Sequence, residues 1–365
     1  MRVALAAGGT GGHMFPAQAL AEEAKARGWS VLLLTDKRGE RYTERFPKDD
    51  MVLLKAASPS ARGLIAKIRA GTTLAGGIGR ASRALKAFEA DTVIGFGGYP
   101  SAPAMLAAQR LRLPTGIHEQ NAVLGRANRL AAGHAGFIAH AFPILKNLPK
   151  GKFLQRETGN PVRQAVVDAA RIPFNDPSEG PIRLLIFGGS QGAALFAAVF
   201  APAIAALPEA LRRRLDVVHQ VQDTLKVKTA EVYDKAGVQA EVAPFFDDLP
   251  ARIAKAHLVV ARSGASSVTE LAVIGRPSLL VPLKIAMDDH QTMNAQVLTE
   301  AGAATLIAED DLTEEAATVI LTRLLSDAQG LTQMAQAAKG RMEQGAAQAL
   351  ADLTAALAEG SLAVQ

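Results

Sequence analysis

A short apolar run, a glycine-rich turn and the start of a helix follow one another twice in this chain. They stand at RVALAAGGTGGHMFPA (residues 2–17) and again at IRLLIFGGSQGAALF (residues 182–196). Strand-like runs then alternate with longer helical stretches: SVLLLT, MVLLKA, TVIGFG, TGIHE and FIAHAF in the first half, DVVHQV, VQAEVAPF, HLVVAR, PSLLVP and AATLIA in the second. Such alternation forces right-handed crossovers and a parallel sheet covered on both faces, so the chain reads as α/β with two doubly wound domains. Ligands of such folds bind at the carboxyl ends of the strands, here expected in a cleft between the domains. The stretch ARIPFNDPSEGPIR (residues 170–183) breaks the rhythm with three prolines and is read as the linker. The Ala-rich segment from Leu331 to about Leu357 reads as helical and as crossing back to brace the first domain. The expected division is 1–165, 166–340 and a C-terminal helix in 341–365.

With 49% hydrophobic and 21% charged residues over 365 positions, the chain has the composition of a folded protein. It has no cysteine, which removes disulfides and thiolate metal sites, and no HExxH or Asp-x-Asp pattern, so no metal is expected. The net charge of +5 is unevenly spread: residues 1–160 hold 23 Lys and Arg against 11 Asp and Glu, leaving +12 there and −7 in the remainder. The first half is therefore the one suited to an anionic surface. Nucleic acid is not the expected partner, because no helix-turn-helix or RNP-like pattern occurs and only 5% of residues are aromatic. An anionic membrane face fits better. The segment from Ser58 to Phe88 sets Leu64, Ile65, Ile68, Leu74 and Ile78 among Arg62, Lys67, Arg69, Arg80, Arg83 and Lys86, with no acid in the run. No run of eighteen uncharged apolar residues and no signal peptide is apparent, so the chain reads as cytosolic and non-spanning.

Glycines after a first strand let backbone N–H groups approach a ligand, and the following helix terminus favours negative charge. The dinucleotide fingerprint is incomplete, since counting from Gly9 and Gly11 puts its third glycine at Met14, and neither glycine turn ends in Gly-Lys-Ser/Thr. Asp36 stands near where a ribose-binding acid belongs, which keeps a nucleotide-dependent oxidoreductase open as an alternative. A second informative stretch is ARSGASSVTELAVIGRPSLLVP (residues 261–282). Its small residues and hydroxyls at a helix start can hold a diphosphate without a metal, and Glu270, a turn further on, can accept both hydroxyls of a ribose. MDDHQTMNA (residues 287–295) adds polar groups at the same sheet edge.

Taken in order, GGTGGHMFPA, GFGGYPSAPA, HEQNAVLGRANR, TGNPVR, GGSQGA, RSGASSVTELAVIGRPSLLVP and DDHQTMNA make the chain resemble the MurG family of bacterial glycosyltransferases over nearly its whole length. The resemblance implies the GT-B fold: two Rossmann-like doubly wound domains facing across a cleft. It implies a UDP-GlcNAc donor held by the second domain, with an undecaprenyl-linked muramyl-pentapeptide acceptor and the membrane met by the first. Thr10, Gly11 and Gly12 are then expected along the donor sugar and phosphates, and Asn121 at the GlcNAc. Arg163 and Ser190 are expected near the diphosphate and nucleotide, and Phe246 against uracil. Ala265, Ser266, Ser267, Val268, Thr269 and Glu270 are expected to hold phosphate and ribose, and Gln291 the sugar hydroxyls. His290 stands where some relatives have a second Gln and receives no role.

The implied reaction inverts the anomeric centre and needs a base for the incoming hydroxyl. His13 is the first choice, because an imidazole exchanges protons nearest neutral pH. Glu119 competes for the role, and His118 fits a structural histidine. No cofactor is expected. The implied location is the cytoplasmic face of the bacterial inner membrane, peripherally bound, beside cell-wall synthesis and division proteins. A UDP-sugar epimerase of the same fold is the nearer alternative, and a non-catalytic membrane scaffold the more distant one.

Overall fold

The computed structural model describes residues 1–44, 46–55, 64–286, 289–340 and 345–362, with the backbone alone at 64–69 and 189–193. The chain forms two compact units, Met1–Arg163 with Gly345–Gln365, and Gln164–Gln344.

The first unit contains β1 (Arg2–Ala6), β2 (Ser30–Thr35), β3 (Asp50–Leu53), β4 (Thr92–Gly95), β5 (Thr115–Glu119), β6 (Phe137–His140) and β7 (Leu154–Glu157). They pair in the order β3-β2-β1-β4-β5-β6-β7, all parallel. β4 and β5 are buried along their full length, as expected of strands with helices on both faces. β7 carries no apolar signal in the sequence. Its Leu-Gln-Arg-Glu forms the sheet edge, where one half-buried residue and three exposed ones suffice.

The second unit contains β8 (Ile182–Phe187), β9 (Leu215–Gln220), β10 (Gln239–Ala243), β11 (Leu258–Ala261), β12 (Ser278–Leu280) and β13 (Ala304–Leu306). Their order, β10-β9-β8-β11-β12-β13, repeats the pattern of the first sheet, and each pair is parallel. Both sheets are doubly wound. In each the order reverses beside the first strand, so the turns after β1 and β4, and after β8 and β11, lie next to one another at the carboxyl edge.

One expectation needs correction and a second is sharpened. The proline-rich stretch 170–183 is not the linker, because the chain passes between units at Arg163 and Gln164. Arg276 fixes that stretch in the second unit by donating through Nη2 to the carbonyls of Ile172 at 2.9 Å and Pro173 at 3.1 Å. The Ala-rich C-terminal segment is helical in two pieces, Ala328–Ala338 in the second unit and Ala346–Ala358 in the first. Gly340 and Gly345 take left-handed backbone (φ +82° and +106°), a conformation that continues neither helix. The helix Ala346–Ala358 packs on the helix Gly11–Ala26, burying Leu350, Ala351 and Leu357 in one core with Leu20 and Ala24. Arg27 and Asp352 pair across that contact at 2.6 Å. Among the described residues no helix is long and apolar enough to cross a membrane.

Candidate active site

In the first unit the site begins where β1 runs into its glycine turn. Gly9 has φ +86°, and its N–H donates to Asp36 Oδ1 at 2.9 Å. The same oxygen accepts the Gly39 N–H at 2.9 Å, while Oδ2 takes Arg38 Nε at 3.0 Å. Burial alone pushes the Asp36 carboxyl up, but Arg38 and the Gly39 and Gly9 N–H groups hold it below the usual range. Asp36 therefore spends its carboxylate on shaping the turn. Thr10 precedes the helix Gly11–Ala26, whose first turn presents backbone N–H groups of Gly11 and Gly12 beneath no side chain of their own. The turn after β4 lies against this one. A Cβ on Gly98 (φ +76°) would stand 2.7 Å from the Gly8 carbonyl oxygen and 3.2 Å from His13 Cδ2, so only glycine fits.

His13, half-buried in the first helical turn, brings Nδ1 to 2.9 Å from the Phe96 carbonyl oxygen and 3.1 Å from Gln120 Oε1. Both partners are acceptors, so Nδ1 carries a proton, and in the uncharged tautomer this leaves the lone pair at Nε2. Behind it lies buried His118, whose Nε2 is 3.0 Å from the Gly159 carbonyl oxygen. Burial pulls His118 down to about 4, so this ring is neutral near pH 7.

Glu119, at the end of β5, is also buried, and four donors converge on it. Oε1 accepts the Asn121 N–H at 3.0 Å and Asn121 Nδ2 at 3.1 Å; Oε2 accepts the Gly125 N–H and Asn128 Nδ2, each at 2.8 Å. The carboxylate thus fastens the loop that carries Asn121. Arg163 stacks its guanidinium 3.9 Å above the Phe15 ring, one turn beyond the glycines.

In the second unit, the helix Gly189–Ala205 follows β8 and the helix Ala265–Ile274 follows β11. Ser190 stands in the first turn of the former, with its side chain outside the described residues. At the latter, the Ser263 and Ser266 hydroxyls are buried and have no partner among the described residues. Asn294 Nδ2 donates to the Ser263 carbonyl at 3.2 Å, tying this turn to the helix His290–Thr299. Ala265 and Ser267 lie in the first helical turn, while Val268 is in the core and Thr269 returns its hydroxyl to the Ala265 carbonyl at 2.8 Å. Val268 and Thr269 can therefore offer a ligand little besides backbone. Glu270 is buried on the next turn of the same helix. Gln291 Oε1 accepts the Leu283 N–H at 3.0 Å, which leaves its amide nitrogen as the donor end. Phe246 is buried beneath the Arg252 guanidinium, 4.2 Å from its ring. Among the described residues no three His, Asp or Glu side chains cluster as metal ligands.

The fold thus gathers Thr10, Gly11, Gly12, His13, Glu119, Asn121 and Arg163 in the first unit. Ser190, Phe246, the 265–270 turn and Gln291 belong to the second. Sequence reasoning missed Gln120, Asn128 and the pair Gly97–Gly98. GFGGYP did offer a signal, since it is a second glycine turn directly after a strand.

Two doubly wound units, each with helix starts at the switch point of its sheet, define a nucleotide-binding α/β architecture. Residues 3–139 match the glycosyltransferase family 28 N-terminal domain and residues 183–350 its C-terminal domain. A UDP-N-acetylglucosamine–N-acetylmuramyl-(pentapeptide) pyrophosphoryl-undecaprenol N-acetylglucosamine transferase of Caulobacter vibrioides is 47% identical over 350 residues, covering 96% of this chain and 97% of the relative. The enzyme of the same name from Sinorhizobium fredii is 45% identical over 361 residues, covering 98% and 95%. The crystal structure of Acinetobacter baumannii MurG superposes with a TM-score of 0.75 at 32% identity, covering 96% of this chain and 98% of that one. The chain belongs to glycosyltransferase family 28 and, within it, to the MurG family.

Proposed function

We propose that the chain moves N-acetylglucosamine from UDP-GlcNAc to the 4-hydroxyl of undecaprenyl-pyrophosphoryl-MurNAc-pentapeptide, converting lipid I to lipid II in peptidoglycan synthesis. The relationship to transferases of that name, running through both units, carries the reading. An epimerase shares the fold but has no acceptor to glycosylate. The oxidoreductase alternative loses its ribose acid, because Asp36 is engaged by Gly9, Gly39 and Arg38.

In this reading the acceptor oxygen attacks the anomeric carbon while the bond from that carbon to the β-phosphate oxygen breaks. The electron pair leaves on UDP, the proton passes to His13 Nε2, and the α-linked donor becomes a β-1,4 product. Glu119 is a poor rival base, since four donors already occupy its two oxygens. Its role is to hold Asn121 toward the GlcNAc. The first-turn N–H groups of Ala265, Ser266 and Ser267, with the Ser266 hydroxyl, hold phosphate; Val268 and Thr269 contribute backbone and Glu270 takes the ribose. Ser190 assists at the nucleotide, Phe246 meets uracil through its backbone, and Gln291 donates to sugar hydroxyls through Nε2. Thr10, Gly11 and Gly12 approach donor sugar and phosphate, and Arg163 adds positive charge as UDP departs. Neither metal nor cofactor enters these steps.

Residues 1–165 serve acceptor and membrane, 166–340 the donor, and the helix in 341–365 braces the first domain. Arg80, Arg83 and Lys86 are exposed on the helix Leu64–Phe88 and Leu74 is half-buried, whereas Ile78 packs against the core of the first unit and so is not a membrane-facing residue. The other membrane-facing candidates, Arg62, Leu64, Ile65, Lys67, Ile68 and Arg69, lie outside the residues whose side chains are described. A surface pocket of about 380 Å³ lined by Lys55, Thr72, Thr73, Arg80 and Arg83 suits an anionic headgroup. This supports peripheral attachment to the cytoplasmic face of the inner membrane, where cell-wall synthesis and division proteins would be the neighbours.

The test is radiolabel transfer from UDP-GlcNAc to a lipid-linked muramyl acceptor, with and without EDTA. Labelled lipid is expected in both. Absence of label in the lipid overturns the reading, and activity lost to EDTA and restored by magnesium overturns its metal-free form.

A further inference from the structure

The geometry points to Gln120 as the positioning residue that holds His13 in its Nδ1–H form, and to His118 as the residue that fixes the orientation of Gln120. The inference rests on His13 being the base.

The chain of constraints begins at the backbone. The Gly159 carbonyl, 3.0 Å from His118 Nε2, requires a proton on that nitrogen. In the neutral ring Nδ1 is then a bare acceptor. Gln120 Nε2 stands 3.2 Å from this Nδ1 and 3.0 Å from the His118 carbonyl oxygen, so two acceptors demand that the amide nitrogen face them. Its oxygen must therefore face His13, where it meets Nδ1 at 3.1 Å. The flipped amide would set its oxygen against two lone pairs. It would also aim a donor at His13 Nδ1, whose other neighbour, the Phe96 carbonyl at 2.9 Å, requires a proton there. Only one arrangement satisfies every group, and Gln120 and His118 are too buried for water to replace a missing partner.

The titratable neighbours do not disturb this order. His140 on β6 is engaged by the Phe142 carbonyl at 2.8 Å and by Gln155 Nε2 at 3.2 Å. Glu119 on β5 is saturated by its four donors. The consequence is a base whose Nε2 lone pair is set before any acceptor binds, so no tautomer change is required on the way to the transition state.

Imidazole ¹⁵N–¹H correlation spectra of the unsubstituted full-length chain near neutral pH test this without any mutation. The expected result is Nδ1–H for His13 and Nε2–H for His118, and the opposite tautomer at either residue overturns the inference. Gln120→Leu removes all three side-chain hydrogen bonds at similar size, and turnover is expected to fall about tenfold with KM for donor and acceptor near parental. Gln120→Glu places a carboxylate against the Nδ1–H, which favours the imidazolium. The acid limb of its pH–kcat profile is expected to move up by about one unit. Parental turnover in the first variant together with an unmoved limb in the second overturns the positioning role. A His13→Ala enzyme with parental turnover would instead remove His13 as base, while the spectra still judge Gln120.

Discussion

Glu119 grips Asn121 twice through one oxygen, by its backbone N–H at 3.0 Å and its side-chain Nδ2 at 3.1 Å, and its other oxygen holds Gly125 and Asn128. Hydrogen bonds to a charged group contribute about 1.5–3 kcal/mol each, so this carboxylate is a fastener of the 121–128 loop. Glu119→Gln turns one acceptor into a donor facing donors. Its kcat/KM for UDP-GlcNAc should fall at least tenfold or so, with a lower unfolding temperature and an acid limb at the parental pH. Loss of the acid limb would make Glu119 the base.

His13→Ala should lower turnover by about a hundredfold, the usual scale for loss of a general base, while UDP affinity stays near parental. Steady-state transfer and calorimetry on one preparation separate the two effects. Near-parental turnover would assign the proton to another acceptor.

Glu270→Ala should weaken UDP binding much more than folding. Two ribose hydroxyls on a carboxylate are worth about 1.5–3 kcal/mol each, so the dissociation constant should rise at least tenfold. Calorimetry showing unchanged UDP affinity would take Glu270 out of the site.

Stability should fall with acid between pH 6.5 and about 4. Burial pulls His118 down to about 4 and His219 to about 3, against an ordinary value of 6.5. Above 6.5 both are neutral whether folded or not, and their full contribution is present. Below it the unfolded chain takes up protons that the folded one refuses, so each histidine costs about a tenfold fall in the folding constant per pH unit. Urea titrations at several pH values should show this slope, and His219→Phe should flatten it for the second unit. An unchanged slope there would mean that His219 is not the group titrating.

The protein should cosediment with anionic vesicles at low salt and leave them at high salt. Each basic residue near an anionic leaflet contributes about 1 kcal/mol, so reversing Arg80, Arg83 and Lys86 to Glu should impair sedimentation without changing UDP binding. A triple variant that sediments like the parent places the docking face elsewhere.

The two sheets were legible because their central strands are continuous apolar runs punctuated by glycine turns, which is local information. β7 was not, since an edge strand of Leu-Gln-Arg-Glu needs no apolar pattern. The helical character of the Ala-rich C-terminal segment was legible, but not its division into two helices, which Gly340 and Gly345 impose through left-handed backbone.

The site divides in the same way. The sequence by itself determined the glycine turns, the helix starts that favour anions and the motif series of the family, because each depends on residues within one short segment. Tertiary structure alone decided what the polar residues do with one another. His13 meets carbonyl oxygens 83 and 107 positions away, and Gly9 meets a carboxylate 27 positions away. Those meetings engage Asp36 with its own turn and Glu119 with four donors of the 121–128 loop, and they set Gln120 between His13 and His118. Hydrogen-bond partners are set by where parallel strands end relative to one another, and that register comes from packing on both faces of the sheet, which no local pattern encodes.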